Sequence, residues 1–141
     1  MNSRQRLAVI LNNEAPDRVA IDFGAGHQTG IAASTVYAIK KYYGLLEQGE
    51  RIKLTEPYQL LGEIDEKLRD LLGLDVVGIH PRKNMFGFEN NDFKPWTLFD
   101  GTPVTVPGLF NTEPQEDGSI VQYAEGDRNF PPSAVMPKGG F

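Results

Sequence analysis

Cysteine is absent from this chain. That excludes disulfides and any thiolate metal site built from its own residues. Histidine occurs only twice, at His27 and His80. They stand in distant loops without the i, i+4 spacing of a helical zinc motif, so no metal site is expected. No apolar run approaches the roughly 20 residues that a membrane helix needs. The short run at residues 7–11 is followed at once by polar residues, so it does not make the core of a signal peptide. Basic residues are the minority: 14 Lys and Arg stand against 19 Asp and Glu, for a formal net charge of −5. No basic stripe interrupts this balance, which leaves nucleic-acid binding without an electrostatic basis. Serine-triad and phosphate-loop signatures are missing as well. The expectation is a soluble cytoplasmic protein whose partners are neither membrane nor nucleic acid.

What is present is a turn-rich α/β pattern. The 15 glycines and 10 prolines crowd toward the second half, and 141 residues suggest one domain. Ser3 suits the N-cap of a helix running to about Asn12, with Leu7, Ile10 and Leu11 along one side. Pro16 prevents its continuation. Residues 18–23 are almost continuously apolar, as in a parallel strand buried on both faces. A glycine-rich loop follows at residues 24–30. A second helix is expected from Ser34 or Thr35 to Tyr43, with Gly44 as its C′ residue. Residues 45–60 look irregular, with a short helical turn at 58–61. Residues 65–72 form the next helix, stopped by Gly73. A second buried strand is expected at 74–79, closed by His80-Pro81. Residues 1–81 thus read as a βαβ unit with parallel strands. Residues 82–141 read as a loop and β-ribbon excursion, with β segments at 103–107 and 120–123 and a turn at 116–119. The aromatic stretch of Phe86, Phe88, Phe93, Trp96 and Phe99 suits packing of that ribbon or a flat ligand.

The loop at 24–30 places Gly24, Gly26 and Gly30 one residue out of a dinucleotide fingerprint, so its glycines are expected to serve the turn. Its position carries more weight. In (β/α)8 barrels the active site lies at the C-terminal ends of the strands. Asp22, His27 and Gln28 lie there for the first expected strand, and His80 and Arg82 for the second. Asp22 suits a general acid or base, or a hydrogen-bonding partner for a substrate nitrogen. It equally suits capping the turn through nearby N–H groups. Arg82 and Lys83 suit a substrate carboxylate, or simple solvated loop charge.

Three stretches carry a family resemblance. The opening MNSRQRLAVILNNEAPDRVAIDFG, above all Ala15-Pro16-Asp17-Arg18-Val19, is one. The segment at 68–77, LRDLLGLDVV, is the second. The last is PPSAVMPKGGF at 131–141. In this order they resemble the N-terminal portion of the uroporphyrinogen decarboxylase-like family, which includes corrinoid-dependent methyltransferases. The resemblance implies the start of a TIM barrel, a partial (β/α)8 fold with a β-ribbon extension. Such barrels typically need about 250 residues, so the chain is expected to be a fragment or truncated member, with little activity alone. It implies a carbon-carbon lyase (decarboxylase) or methyltransferase parent. Asp22, His27 and His80 would be the catalytic residues, with Gln28 and Arg82 binding substrate. The substrate would be a small molecule, a tetrapyrrole or a methyl donor. A decarboxylase of this type needs no cofactor; the methyltransferase branch implies zinc and a corrinoid partner. Where porphyrinogen decarboxylases carry Met-Arg-Gln-Ala-Gly-Arg, this chain has Gly-Ala-Gly-His-Gln-Thr-Gly. Two strands of an open barrel leave edges and apolar faces bare, which implies a homo-oligomer or a partner chain that completes the barrel. The alternative is a non-catalytic interaction module that kept the beginning of the fold.

Overall fold

The computed structural model describes residues 1–138. In chain order its elements are helix α1 (Ser3–Leu11), helix α2 (Ala33–Tyr42), strands β1 (Ile52–Glu56) and β2 (Leu61–Gly62) and helix α3 (Glu66–Leu72). Strands β3 (Lys94–Thr97), β4 (Pro103–Val106), β5 (Ile120–Gln122) and β6 (Ala134–Met136) follow. The architecture is mixed α/β, and the described residues close no barrel. Gly139, Gly140 and Phe141, the end of the third resembling stretch, lie outside the described residues.

α1 begins one residue earlier than its hydroxyl signal suggests. Asn2, not Ser3, is the cap: its carboxamide oxygen accepts the Gln5 N–H at 2.9 Å, and the Gln5 side chain accepts the Asn2 N–H at 3.0 Å. This reciprocal pair satisfies two donors that the first turn leaves open. The expected apolar side of α1 packs little, since Leu11 is 80% exposed and Arg6 is the one buried residue of the helix. α2 and α3 fall close to expectation. α3 is capped by the Asp65 carboxylate on the Leu68 N–H and ends in Gly73 at φ 64°, a left-handed conformation that costs glycine little.

Of the central sheet, only β4 coincides with an expected β segment, that at 103–107. Its order is β2-β1-β4-β3, with β1 antiparallel to β2, parallel to β4, and β3 antiparallel to β4. Residues 45–60, read as irregular, hold β1. Ile52, Leu54 and Glu56 alternate inward, and the buried glutamate breaks the apolar pattern. Its carboxylate accepts the N–H groups of Tyr58 and Gln59 at 3.0 and 2.6 Å, forming a turn where a helical turn was expected. The β segments expected at 103–107 and 120–123 are present as β4 and β5, but they do not pair with each other. β4 pairs with β3, and β5 pairs with β6. The reason is local: the Leu98 N–H reaches the Thr102 carbonyl at 2.9 Å across Gly101, which closes β3 and β4 into a hairpin. The turn at 115–119 leads into β5, and Pro114 and Ile120 form an isolated bridge across it. Core side chains come from α2 (Ala33, Val36), β1, β4, Leu68 and the aromatic cluster of Phe86, Phe88 and Phe110. Phe86 and Phe88 stack, and Trp96 lies against Phe110, so most of the aromatic stretch serves packing.

Residues 18–23 and 74–79 belong to no named strand. They nevertheless lie side by side. The Asp75 N–H donates to the Ile21 carbonyl at 2.9 Å. Farther along, Gly78 sits so close to Ala25 that an added Cβ would lie 2.3 Å from the Ala25 oxygen. Ile21 meets Asp75 and Ala25 meets Gly78, so both segments advance in the same direction. One backbone hydrogen bond is too little ladder to make either a regular strand. Val19, Ile21, Val77 and Ile79 are 80%, 41%, 65% and 97% exposed. Each segment thus leaves two apolar side chains, two residues apart, open to solvent.

Candidate functional site: a groove at the ends of two extended segments

The two segments are held together by a charge clamp. The buried Asp75 carboxylate accepts from Arg6 Nη1 at 2.5 Å, from Arg18 Nη1 at 2.6 Å and from the Ile21 N–H at 2.9 Å. Arg6 also grips Asp17 through Nε and Nη2, at 2.7 and 2.9 Å. Burial alone would raise the Asp75 pKa, but the Ile21 N–H and the side chains of Arg18, Ser3 and Arg6 hold it well below the usual carboxylate range. Hydrogen bonds from Arg6 hold Asp17 low against its own desolvation, with the N-terminal ammonium adding to the effect. The Asp17-Arg18 of the first resembling stretch and the Asp75 of the second therefore meet in one network. Charge pairing here fixes geometry, since buried pairs are costly to break but gain little net energy over apolar packing.

The clamp sets the start of both segments, and their far ends deliver residues to a groove. One cleft of about 350 Å³ is lined by the apolar Phe23, Ile64, Leu74 and Val76 and by the polar or charged Glu63, Asp65, Glu66, Arg69 and His80. A second, of about 250 Å³, is lined by Lys53, Glu63, His80, Arg82, Asn90 and Phe93, among others. Glu63 and His80 belong to both, so the clefts meet there. Gly24 turns the chain at the edge of the first cleft at φ 92°, and a Cβ there would lie 2.4 Å from Ile64 Cγ1. This position needs glycine for both its conformation and its space. The wall on the α3 side is fixed by Asp65, which caps α3 and accepts from Lys40 Nζ at 2.5 Å. Glu50 is the second partner of Lys40. Burial alone would lower the Lys40 pKa, but Asp65 and Glu50 outweigh it and hold the pKa above its ordinary value.

The expected site residues divide into two groups. His80 and Arg82 come together in the second cleft. Arg82 forms an ion pair with Glu89 through Nε at 2.9 Å. Asp22, just before the 24–30 loop, and His27 and Gln28 on it line neither cleft. Asp22 Oδ1 accepts the Ala25 N–H at 3.2 Å and the Thr29 hydroxyl at 3.1 Å, so it holds the turn. His27 and Gln28 have no hydrogen-bond partner among the described residues. Lys83 lies 3.9 Å from Glu125, away from Arg82's cleft.

Lys53, Glu63 and Phe93 are groove residues that sequence reasoning missed. Lys53 Nζ donates to Glu63 Oε1 at 3.2 Å and lies 5.2 Å from the Phe93 ring centroid. The Glu63 N–H donates to the Lys53 carbonyl at 2.8 Å. They carried no sequence signal, because what brings these residues ten apart into register is the β1–β2 hairpin, in a region read as irregular. No group of three or more His, Asp or Glu side chains among the described residues is arranged for a metal ion, so zinc finds no donor set there. No helix among the described residues is long and apolar enough to cross a membrane. No family model matches the chain, and no curated protein or solved structure is similar to it.

Proposed function

We propose that this chain is the opening segment of a uroporphyrinogen decarboxylase-like barrel, and that the groove at His80 is its share of the ligand-binding mouth. One observation carries the reading: two extended segments advance side by side and end at a single groove, with Gly24 at one end and His80 at the other. Barrel enzymes place their chemistry at that end of the strands. The parent activity is then a decarboxylation or a methyl transfer on a small molecule. His80, an exposed imidazole, exchanges a proton or hydrogen-bonds a polar group of the substrate. Arg82 faces a substrate carboxylate. Asp22 is a positioning residue, holding the loop that carries His27 and Gln28. In the decarboxylase branch no cofactor is needed. In the methyltransferase branch a corrinoid partner would supply the methyl-transfer chemistry, and the described residues of this chain offer no donor set for zinc.

The test is equilibrium binding of a porphyrin tetracarboxylate and of a corrinoid to the purified chain, beside His80→Ala. Binding of either, weakened about tenfold in the variant, supports the reading; that factor corresponds to one hydrogen bond to a charged group. Equal affinity in the variant, or no binding of either at about millimolar ligand (about −4 kcal/mol), overturns it. A second reading is favoured by the exposure of Val19, Ile21, Val77 and Ile79: a non-catalytic module that self-associates or completes a partner's barrel.

A further inference from the structure

We infer that Lys94 binds a small 2-oxo acid covalently: its amine forms a Schiff base with the ketone, and Arg128 holds the carboxylate. The site is separate from the groove, since Lys94 lines neither of its clefts. β3 alternates half-buried and exposed residues, and Lys94 shares the half-buried face with Trp96. Trp96 lies against Phe110, and across the hairpin Lys94 stands in register with the fully buried Val106. Residues directly opposite in an antiparallel pair share a face, so the lysine leaves the sheet beside apolar groups. Among the described residues, no other lysine or arginine is partly shielded from solvent and yet has neither an ion pair nor a hydrogen bond. Burial, and then the charge of Arg128, hold the Lys94 pKa below its ordinary value against the pull of Glu113. More of Lys94 is therefore the free amine, the nucleophilic form, than of a solvated lysine at the same pH. Schiff-base lysines are activated in these two ways, by desolvation and by a neighbouring cation.

Arg128 supplies the reason for a carboxylate. Its Nη1 donates to Glu113 at 2.8 Å and its Nη2 to Asn111 Oδ1 at 2.9 Å. Nε and a second N–H on each Nη remain open for a planar anion. The side chain is 57% exposed and lies over the Tyr123 ring, so the fork is steadied yet within reach of a ligand. Glu113 is matched by Arg128, which leaves the charge of Lys94 in excess and favours an anionic ligand. In the reaction the amine nitrogen attacks the ketone carbon. The N–C bond forms as the carbonyl electron pair passes to oxygen, and a nitrogen proton moves to that oxygen. Loss of the hydroxyl as water leaves the C=N bond, and no oxidant or reductant is consumed.

The test incubates the full chain with pyruvate and sodium cyanoborohydride, whose hydride reduces the C=N carbon and fixes the adduct as a secondary amine. Peptide mass spectrometry reads the labelling of each lysine over a pH series. Lys94 is expected to label ahead of every other lysine and to reach its plateau at a lower pH than they do. Acetone, a ketone without a carboxylate, is the comparison. The pyruvate-to-acetone ratio at Lys94 should exceed the ratio at the other lysines by about 2–5-fold, the scale of one partly exposed charge pair. Arg128→Gln should bring the ratio at Lys94 level with the others. Glu113→Gln, which frees a further N–H of Arg128, should raise it, and this exposed position keeps the test open if Arg128→Gln fails to fold by circular dichroism. Even labelling across the lysines overturns the assignment. So does a ratio at Lys94 no higher than elsewhere, or a ratio that Glu113→Gln leaves unchanged.

Discussion

A carboxylate with no exposed surface persists in a fold only where its charge is matched, and Asp75 meets that condition with two arginines and a backbone N–H. Asp75 and Asp17 both titrate below their ordinary 3.8 in the folded chain. On acidification the unfolded chain binds protons first, so the stability these groups supply is present above that pH and is lost as pH falls toward their folded values. Urea midpoints are therefore expected to stay level from about pH 7 to 5 and to fall below about pH 4. Asp75→Asn should lower the midpoint at neutral pH and flatten the acid limb. An acid limb as steep as that of the native chain would show that the clamp does not govern it. Asp17, Arg18 and Asp75 all stood in the resembling stretches, yet their pairing was not legible there. Arg6 reaches Asp75 across 69 positions, and no local spacing announces such a contact. Conversely, the turn-capping alternative for Asp22 was legible, because both its partners lie within seven residues.

Helices were the legible elements. Gly73 and Gly44 mark their ends chemically, and Asp65 marks a start. β1 was missed because the buried Glu56 cuts the inward apolar alternation down to Ile52 and Leu54. Pairings among strands were missed because two short segments that each look extended say nothing about which partner each will take. The same holds for the amide pair beneath β5. Gln122, fully buried, donates from Nε2 to the Asn111 carbonyl at 2.8 Å and accepts the Asn111 N–H at 2.9 Å. It thus satisfies a segment that has no strand partner there. Gln122→Leu keeps much of the volume but leaves two backbone groups unpaired, so a loss of about 2 kcal/mol is expected. Chemical denaturation measures it, and a loss well under about 0.5 kcal/mol would mean that the loop finds other partners.

At the scale of the molecule, the exposed side chains of Val19, Ile21, Val77 and Ile79 set behaviour in solution. β-branched side chains on extended, unpaired backbone invite association. Light scattering over a concentration series should show mass rising above 15.7 kDa, and Val77→Lys with Ile79→Lys should return it toward one chain. Both residues are exposed, so the urea midpoint should barely move. A native chain that stays at monomer mass throughout would remove the association reading. The groove was half legible: His80 and Arg82 follow a visible segment end, whereas Glu63 and Lys53 enter from a hairpin that the sequence did not disclose. The parallel pairing of β1 with β4 joins Ile52 to Val104, and it bears on the order in which the chain can assemble. While synthesis proceeds from residue 56 to residue 103, β1 has only the two-residue β2 beside it. Contacts so distant in sequence must wait for loop closure and slow folding. The nascent N-terminal half thus emerges with its central strand half-paired, a window in which chaperones would engage it.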